Sequence, residues 1–249
     1  MKHFISVFIL CSLTTTLWAQ QPARNTWKPL FGKNLSEAIY NPEAWSETNG
    51  ILTATKDDAI WTTEEYENFE LDLEFKTDPG TNSGVIIYCT DTEDWIPKSV
   101  EIQIADDHYE KWAEAKSYER CGAIYGHLGP RQEKVVKKPG EWNHMRIRCT
   151  GQRISVIMNG KKVNEMNMSK WTSGTENPDG TEIPSWLPTP FAELPTKGFI
   201  GLQGKHGDAT VWFRNVKIRS TVKPKPEPEE TIPEGEEKSE DEEDTIIED

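Results

Sequence analysis

Phe69-Glu-Leu-Asp-Leu-Glu-Phe75 alternates apolar and acidic side chains without a break. Successive side chains of a strand point to opposite faces, so Phe69, Leu71, Leu73 and Phe75 share one face and Glu70, Asp72 and Glu74 the other. The same strand signal returns at residues 51–55, 85–89, 100–104, 144–149, 154–158, 199–203 and 210–218. Turn residues separate these runs at Asp78-Pro-Gly80, Pro139-Gly140, Asn159-Gly160 and His206-Gly-Asp208. Asn159-Gly160 is the strongest of these signals, because both residues tolerate positive φ, and it predicts a tight hairpin joining 154–158 to Lys161-Lys-Val163. Helical patterns are confined to residues 107–115 and 168–171. Many antiparallel strands in one body of this size predict an all-β fold, a jelly-roll β-sandwich of two antiparallel sheets.

The two ends of the chain differ from this body. Met1-Lys-His precedes an apolar run over residues 4–13, and Leu17-Trp-Ala19 follows, which is the order of a secretory signal peptide ending at Ala19. The run is shorter than the roughly 20 apolar residues a membrane helix needs, so a secreted or periplasmic protein without a membrane partner is expected. Phe8-Ile9-Leu10 before Cys11 argues against a lipid anchor. Of the net charge of -14, most sits in residues 221–249, where 13 acidic residues face three lysines and four prolines interrupt the run. Such a segment cannot bury enough apolar surface to fold, and it is expected to be a disordered, solubilising tail. Residues 20–220 form one domain. No basic patch alternating with aromatics suggests nucleic acid, and the sequence leaves the oligomeric state open. Three cysteines remain in the body, Cys89, Cys121 and Cys149; one bridge with a free thiol, or no bridge at all, fits an exported chain.

No nucleophile elbow, phosphate loop, His-Glu-x-x-His or dinucleotide fingerprint is present. Candidate chemistry instead gathers around Ser99-Val-Glu-Ile-Gln-Ile-Ala-Asp-Asp-His108, where Glu101 and Gln103 share one strand face and Asp106 and His108 follow at once. A segment from Cys121 to His127, including Tyr125, adds further polar groups. Gln203-Gly-Lys-His-Gly207 places Lys205 and His206 in a glycine-flanked loop after a strand. Asn82-Ser-Gly84 reads either as a turn or bulge entering the next strand or as a source of amide and hydroxyl contacts. Ten tryptophans offer flat faces to sugar rings. Trp45, Trp61, Trp142 and Trp212 lie in strand patterns and are assigned to the core, whereas Trp95, Trp112, Trp171 and Trp186 lie in or beside polar loops and are the cleft candidates.

Asn82-Ser-Gly84, Glu101-Ile-Gln-Ile-Ala-Asp106, Gly122-Ala-Ile-Tyr125, Gly140-Glu-Trp-Asn143, Asn159-Gly160, Gly201-Leu-Gln-Gly-Lys-His-Gly207 and Phe213-Arg-Asn-Val-Lys-Ile218 together resemble the 3-keto-disaccharide hydrolase domain family, from about Trp27 to Arg219. The resemblance implies a concanavalin-like sandwich, secretion, and action on glycosides oxidised at C3. A C3 ketone acidifies the hydrogen on C2, so one base can form an enolate and expel the aglycone from C1. That route needs a base, stabilisation of the enolate oxygen and an acid, not two flanking carboxylates. The expected assignments are Glu101 as base or metal ligand, His206 or His108 for proton transfer, and Lys205 at the developing oxyanion. Asn82, Gln103, Asp106, Tyr125, His127, Trp171 and Gln203 would contact the carbohydrate substrate. A divalent metal held by Glu101 and a histidine is the cofactor considered. A non-catalytic carbohydrate-binding module is the alternative; a third reading is an adhesion domain using the acidic tail.

Overall fold

The computed structural model describes residues 26–132 and 134–222. The expected signal peptide, and all of the expected tail beyond Val222, lie outside these residues.

Among the described residues thirteen strands make two antiparallel sheets. They are β1 Lys28–Pro29, β2 Ala38–Ile39, β3 Trp45–Thr48, β4 Ile51–Ala54, β5 Ile60–Thr62, β6 Phe69–Thr77 and β7 Asn82–Cys89, then β8 Val100–Ala105, β9 Trp142–Thr150, β10 Arg153–Met158, β11 Lys161–Asn167, β12 Phe199–Leu202 and β13 Val211–Ser220. The larger sheet runs β11-β10-β9-β6-β13-β4-β3, with β1 also paired to β13; the smaller runs β2-β5-β12-β7-β8. Neighbours in the sheets are mostly not neighbours in sequence, as in a sandwich whose strands cross between layers. The only α-helical turn among the described residues is Glu110–Ala113.

Period-two alternation builds the core. Leu71, Leu73 and Phe75 of β6 meet Met145, Ile147 and Cys149 of β9 and Phe213 and Ile218 of β13 in one layer; Val85, Ile87, Val100, Ile102, Ile104, Ile200 and Leu202 supply the other. Phe213 packs its ring 6.0 Å from that of Trp45, which is buried as expected. All three body cysteines are buried free thiols. Burial pushes the Cys89 thiol up to about 11 and that of Cys149 to about 12, so neither is an activated nucleophile.

Several expectations change. The acids of β6 do face away from the core, yet Glu70 and Asp72 are buried there. Arg146 and Arg219 lie over them, and Trp27 caps the arginines with its ring 5.7 and 4.6 Å from their guanidiniums. Burial disfavours the Asp72 carboxylate, but hydrogen bonds from Arg146 and His144 outweigh it and hold the group below the usual carboxylate range. Trp142 and Trp212, assigned to the core, lie on this outer face instead, where Arg214 and Lys76 stack on them at 4.0 and 4.4 Å. Asn82-Ser-Gly84 is neither turn nor bulge but the first three residues of β7. Trp112 and Trp171, read as cleft residues, are core plugs: each buries its rings while its indole N–H reaches a loop acceptor, the Gly80 carbonyl or the Asn177 amide oxygen.

Candidate functional site

Glu101 and Gln103 project from β8 on the face of the smaller sheet that points away from the core, since Val100, Ile102 and Ile104 take the inward positions. Register sets their neighbours. Ile86 lies opposite Glu101 and also opposite Gly201 on β12, which in turn faces Trp61 on β5. One row therefore reads Glu101, Ile86, Gly201, Trp61. The next reads Gln103, Gly84, Gln203, the last joined by the Gln203 N–H to the Gly84 carbonyl at 2.9 Å.

Two glycines at the centre of these rows decide the geometry. A Cβ on Gly84 would stand 2.1 Å from Glu101 Oε1 and 2.7 Å from its Cγ, so the Glu101 carboxyl lies down across β7 over the bare backbone. A Cβ on Gly201 would stand 2.5 Å from Trp61 Cε3, so the Trp61 indole lies over β12 in the same manner. Glycine inside a strand forfeits packing and backbone entropy, and its usual return is a close approach of this kind. Carboxyl and indole thereby form a low floor on the sheet. Around Trp61, Ile86, Cys89, Ala59, Trp95 and Phe199 make an apolar patch, with the Trp95 ring 6.3 Å from that of Trp61 and edge-on to it.

The Glu101 carboxyl has no hydrogen-bond or ion-pair partner among the described residues. Burial alone acts on it and raises its pKa to about 8, a carboxyl that grips a proton far more tightly than an ordinary glutamate. Tyr125, whose N–H donates to the Glu101 carbonyl at 2.9 Å, feels the same surroundings: burial first and the Glu101 charge second lift its phenol to about 12. The exposed Trp186 stands near the Tyr125 hydroxyl. Gln103 Nε2 donates to Asn82 Oδ1 at 2.9 Å, which fixes both amides on the floor. Gln203 Oε1 is buried without a donor. An unmatched buried acceptor costs roughly 1–3 kcal/mol, a deficit that a ligand hydroxyl would remove.

A hollow of about 440 Å³ opens beside Gln203, Trp61 and Trp95, with His206 and Asp57 on its rim. His206 Nδ1 lies 2.7 Å from Asp57 Oδ2, both side chains more than half exposed, so the carboxylate orients the ring. Lys205 precedes it, half-buried and tied by its N–H to the Lys56 carbonyl. Larger hollows, of about 650 and 610 Å³, lie on the outer face of the other sheet and share no residue with this one.

Glu101, Gln103, Asn82, Tyr125 and Gln203 thus meet on one face, with Lys205 and His206 on the strap that leaves it. Other expected site residues do not join them. Asp106 is buried and accepts from the Gly80 and His108 N–H groups, so its carboxylate holds the turn before β7. His108 reaches the Val136 carbonyl at 3.1 Å, on the segment that departs from β8. His127 is stacked 3.7 Å from Phe191, with Nδ1 on the Tyr125 carbonyl at 2.8 Å. That carbonyl can only accept, so Nδ1 carries the hydrogen; burial lowers the ring pKa to about 4 and Nε2 is left without a partner. Trp171 stays in the core. Trp61 was missed as a site residue, and its signal was Gly201, its register partner on the adjacent strand. Among the described residues no three His, Cys, Asp or Glu side chains gather to hold a metal.

Comparisons with known proteins bear on the family and the fold. A curated protein of Bacteroides thetaiotaomicron named 3-keto-disaccharide hydrolase is 27% identical over 174 residues, taking in 62% of this chain and 59% of that protein. The chain thus spans little more than half the length of that relative. A crystal structure described as a "putative glycosyl hydrolase" of Parabacteroides distasonis is 78% identical, covers 79% of this chain and 100% of its own, and superposes with a TM-score of 0.78. A second structure of the same description and organism, 22% identical over 79% of this chain and 88% of its own, shares the fold with a TM-score of 0.60. The sequence model described as 3-keto-alpha-glucoside-1,2-lyase-like domain matches residues 26–219, all but the ends of the chain, and the chain belongs to that family.

Proposed function

We propose that this chain is a carbohydrate-active enzyme of the glycosyl hydrolase kind that cleaves 3-keto-glycosides, with Glu101 as the base. The observation that carries the reading is the Glu101 carboxyl itself, laid over Gly84, unpartnered and with its pKa raised to about 8. A base whose pKa lies near the working pH transfers protons most effectively. The sugar ring would lie on the apolar patch of Trp61 and Trp95, with hydroxyls reaching the Asn82–Gln103 pair and the unmatched Gln203 oxygen.

Glu101 would take the proton from C2. The C2–H electrons pass into a C2–C3 enolate, and their return forms a C1–C2 double bond as the C1–O bond breaks toward the aglycone oxygen. That oxygen needs a proton, which the Asp57-oriented His206 is suited to supply; Lys205 is the cation suited to the enolate oxygen. Addition of water to the unsaturated product would complete a net hydrolysis. We further propose export from the cytoplasm, on the strength of residues 1–19.

Incubation of the purified chain with a chromogenic 3-keto-glucoside and with its unoxidised parent tests the reading. Release is expected from the keto sugar alone, and Glu101→Gln should lower kcat by about 10²-fold or more while leaving sugar affinity within a few-fold. Undiminished turnover by that variant would remove Glu101 from the mechanism. Sugar binding without release from either compound would instead identify a binding module.

A further inference from the structure

On the outer face of the larger sheet, far from Glu101 and across the core, a trough of about 610 Å³ is lined by Arg131, Arg148, Arg153, Lys162 and Lys170, with Glu165 as its one acid. Arg148 is held only loosely, 3.8 Å from Glu70, and Arg131 is 3.9 Å from Glu165. Arg153 and Lys170 have no ion pair among the described residues. Five cations facing one carboxylate at the end of a sheet repel one another and leave an attractive field for an anion.

The chain supplies one at this spot. Thr221 donates its N–H to the Asn68 carbonyl at 2.8 Å, and Asn68 Oδ1 accepts from the Gly151 N–H at 2.9 Å. A single asparagine therefore bridges the end of β13 to the turn that carries Arg153. Residues 223–249 continue from there with 13 Asp and Glu against three Lys. Adjacent strands are spaced by about 4.8 Å, so the row from β13 through β6, β9 and β10 to β11 spans about 20 Å. A coil of that tail's length averages roughly 28 Å from end to end, enough to reach every cation of the trough. Tethering of this kind sets an effective concentration on the order of millimolar, so contacts too weak between separate molecules become occupied within one.

We propose that the trough is the docking site of the chain's own acidic segment, residues 223–249, held by charge rather than by apolar burial. The arrangement neutralises a cationic patch that would otherwise take up anionic polymers. It leaves the Glu101 face open, so turnover is independent of it.

Zero-length carbodiimide cross-linking of the full-length protein at low salt, read by mass spectrometry, tests this. Bonds from Lys170 and Lys162 to tail carboxylates are expected to exceed those from Lys56 and Lys111 by about fivefold or more, and to fall to the level of those controls in 1 M salt, where the screening length is only about 3 Å. The double variant Arg148→Glu/Arg153→Glu, checked for an unchanged circular dichroism spectrum, should lose the excess at low salt as well. Even cross-linking over all exposed lysines would overturn the proposal. So would tail bonds found chiefly between differently isotope-labelled chains, which would make the occupant a second copy.

Discussion

At the scale of single residues, the site depends on what is missing at Gly84. Its neighbours on β7 are Val85, Ile86 and Ile87, the kind of residues a buried strand favours, so a glycine among them is unexpected for packing. The Glu101 carboxyl occupies the volume a side chain would take. Gly84→Ala is therefore a displacement experiment. The added methyl must push Glu101 off the sheet by more than 1 Å, because contacts of 2.1 and 2.7 Å cannot be sustained. Misplacing a reacting group by about that distance can cost on the order of 10²-fold in rate. The expected outcome is a fall of that order in kcat on a 3-keto-glucoside, with KM within a few-fold of the parent and a Tm change of a few degrees at most. A kcat near the parent value would mean that the carboxyl need not lie over β7 to act.

Among the elements, β7 also carries the irregularity that gives the smaller sheet its two-sided character. Phe199 of β12 pairs with Cys89 while Gly201 pairs with Ile86, so Ile87 and Tyr88 of β7 oppose the single residue Ile200 of β12. Tyr88 absorbs the extra residue with a φ of 58°, turns its ring into the core edge-on to Phe69, and donates its hydroxyl to the Gly151 carbonyl at 2.7 Å. Cys89 is thereby returned to the outer face beside Trp61. Tyr88→Phe keeps the ring and strands that carbonyl, so a loss of about 1–3 kcal/mol is expected in denaturant unfolding, with the midpoint shifted and the slope unchanged. The long alternating strands were legible in the sequence, β6 and the β10–β11 hairpin most clearly, because one face of each meets the core. The bulge was not, since Val-Ile-Ile-Tyr-Cys reads as a continuous apolar run whichever way Tyr88 turns. Nor were β2, β3 and β5, which are too short for a period to emerge. The Glu101–Gln103 face was legible from alternation, whereas Asp106, His108 and Trp171 were not separable from it, because adjacency in sequence says nothing of which way a loop leaves the sheet.

Across the whole molecule the two outer faces solve opposite problems. The larger sheet matches its buried acids with arginines, whereas the smaller one leaves Glu101 unmatched, and the difference has a signature in stability against pH. Glu101 has its pKa raised to about 8 in the fold from 4.5, so its contribution is fully present below about 4.5 and is lost as pH rises through about 8. Asp107, raised to about 6 by burial, acts in the same sense over a lower window, from 3.8 to about 6. His127 acts in the opposite sense: with its pKa depressed to about 4, its stabilisation is present above 6.5 and lost as pH falls toward 4. Between pH 7 and 9, Glu101 alone of these three still changes charge. Glu101→Gln removes that change while keeping the shape of the side chain. The variant and the parent should therefore have similar Tm near pH 4.5, and the variant should become the more stable by on the order of 2–4 kcal/mol at pH 9. Thermal unfolding at half-unit steps from pH 4.5 to 9 measures the difference. A gap that stays constant over that range would mean that Glu101 titrates as an ordinary solvated glutamate, and the basicity on which its proposed role rests would be absent.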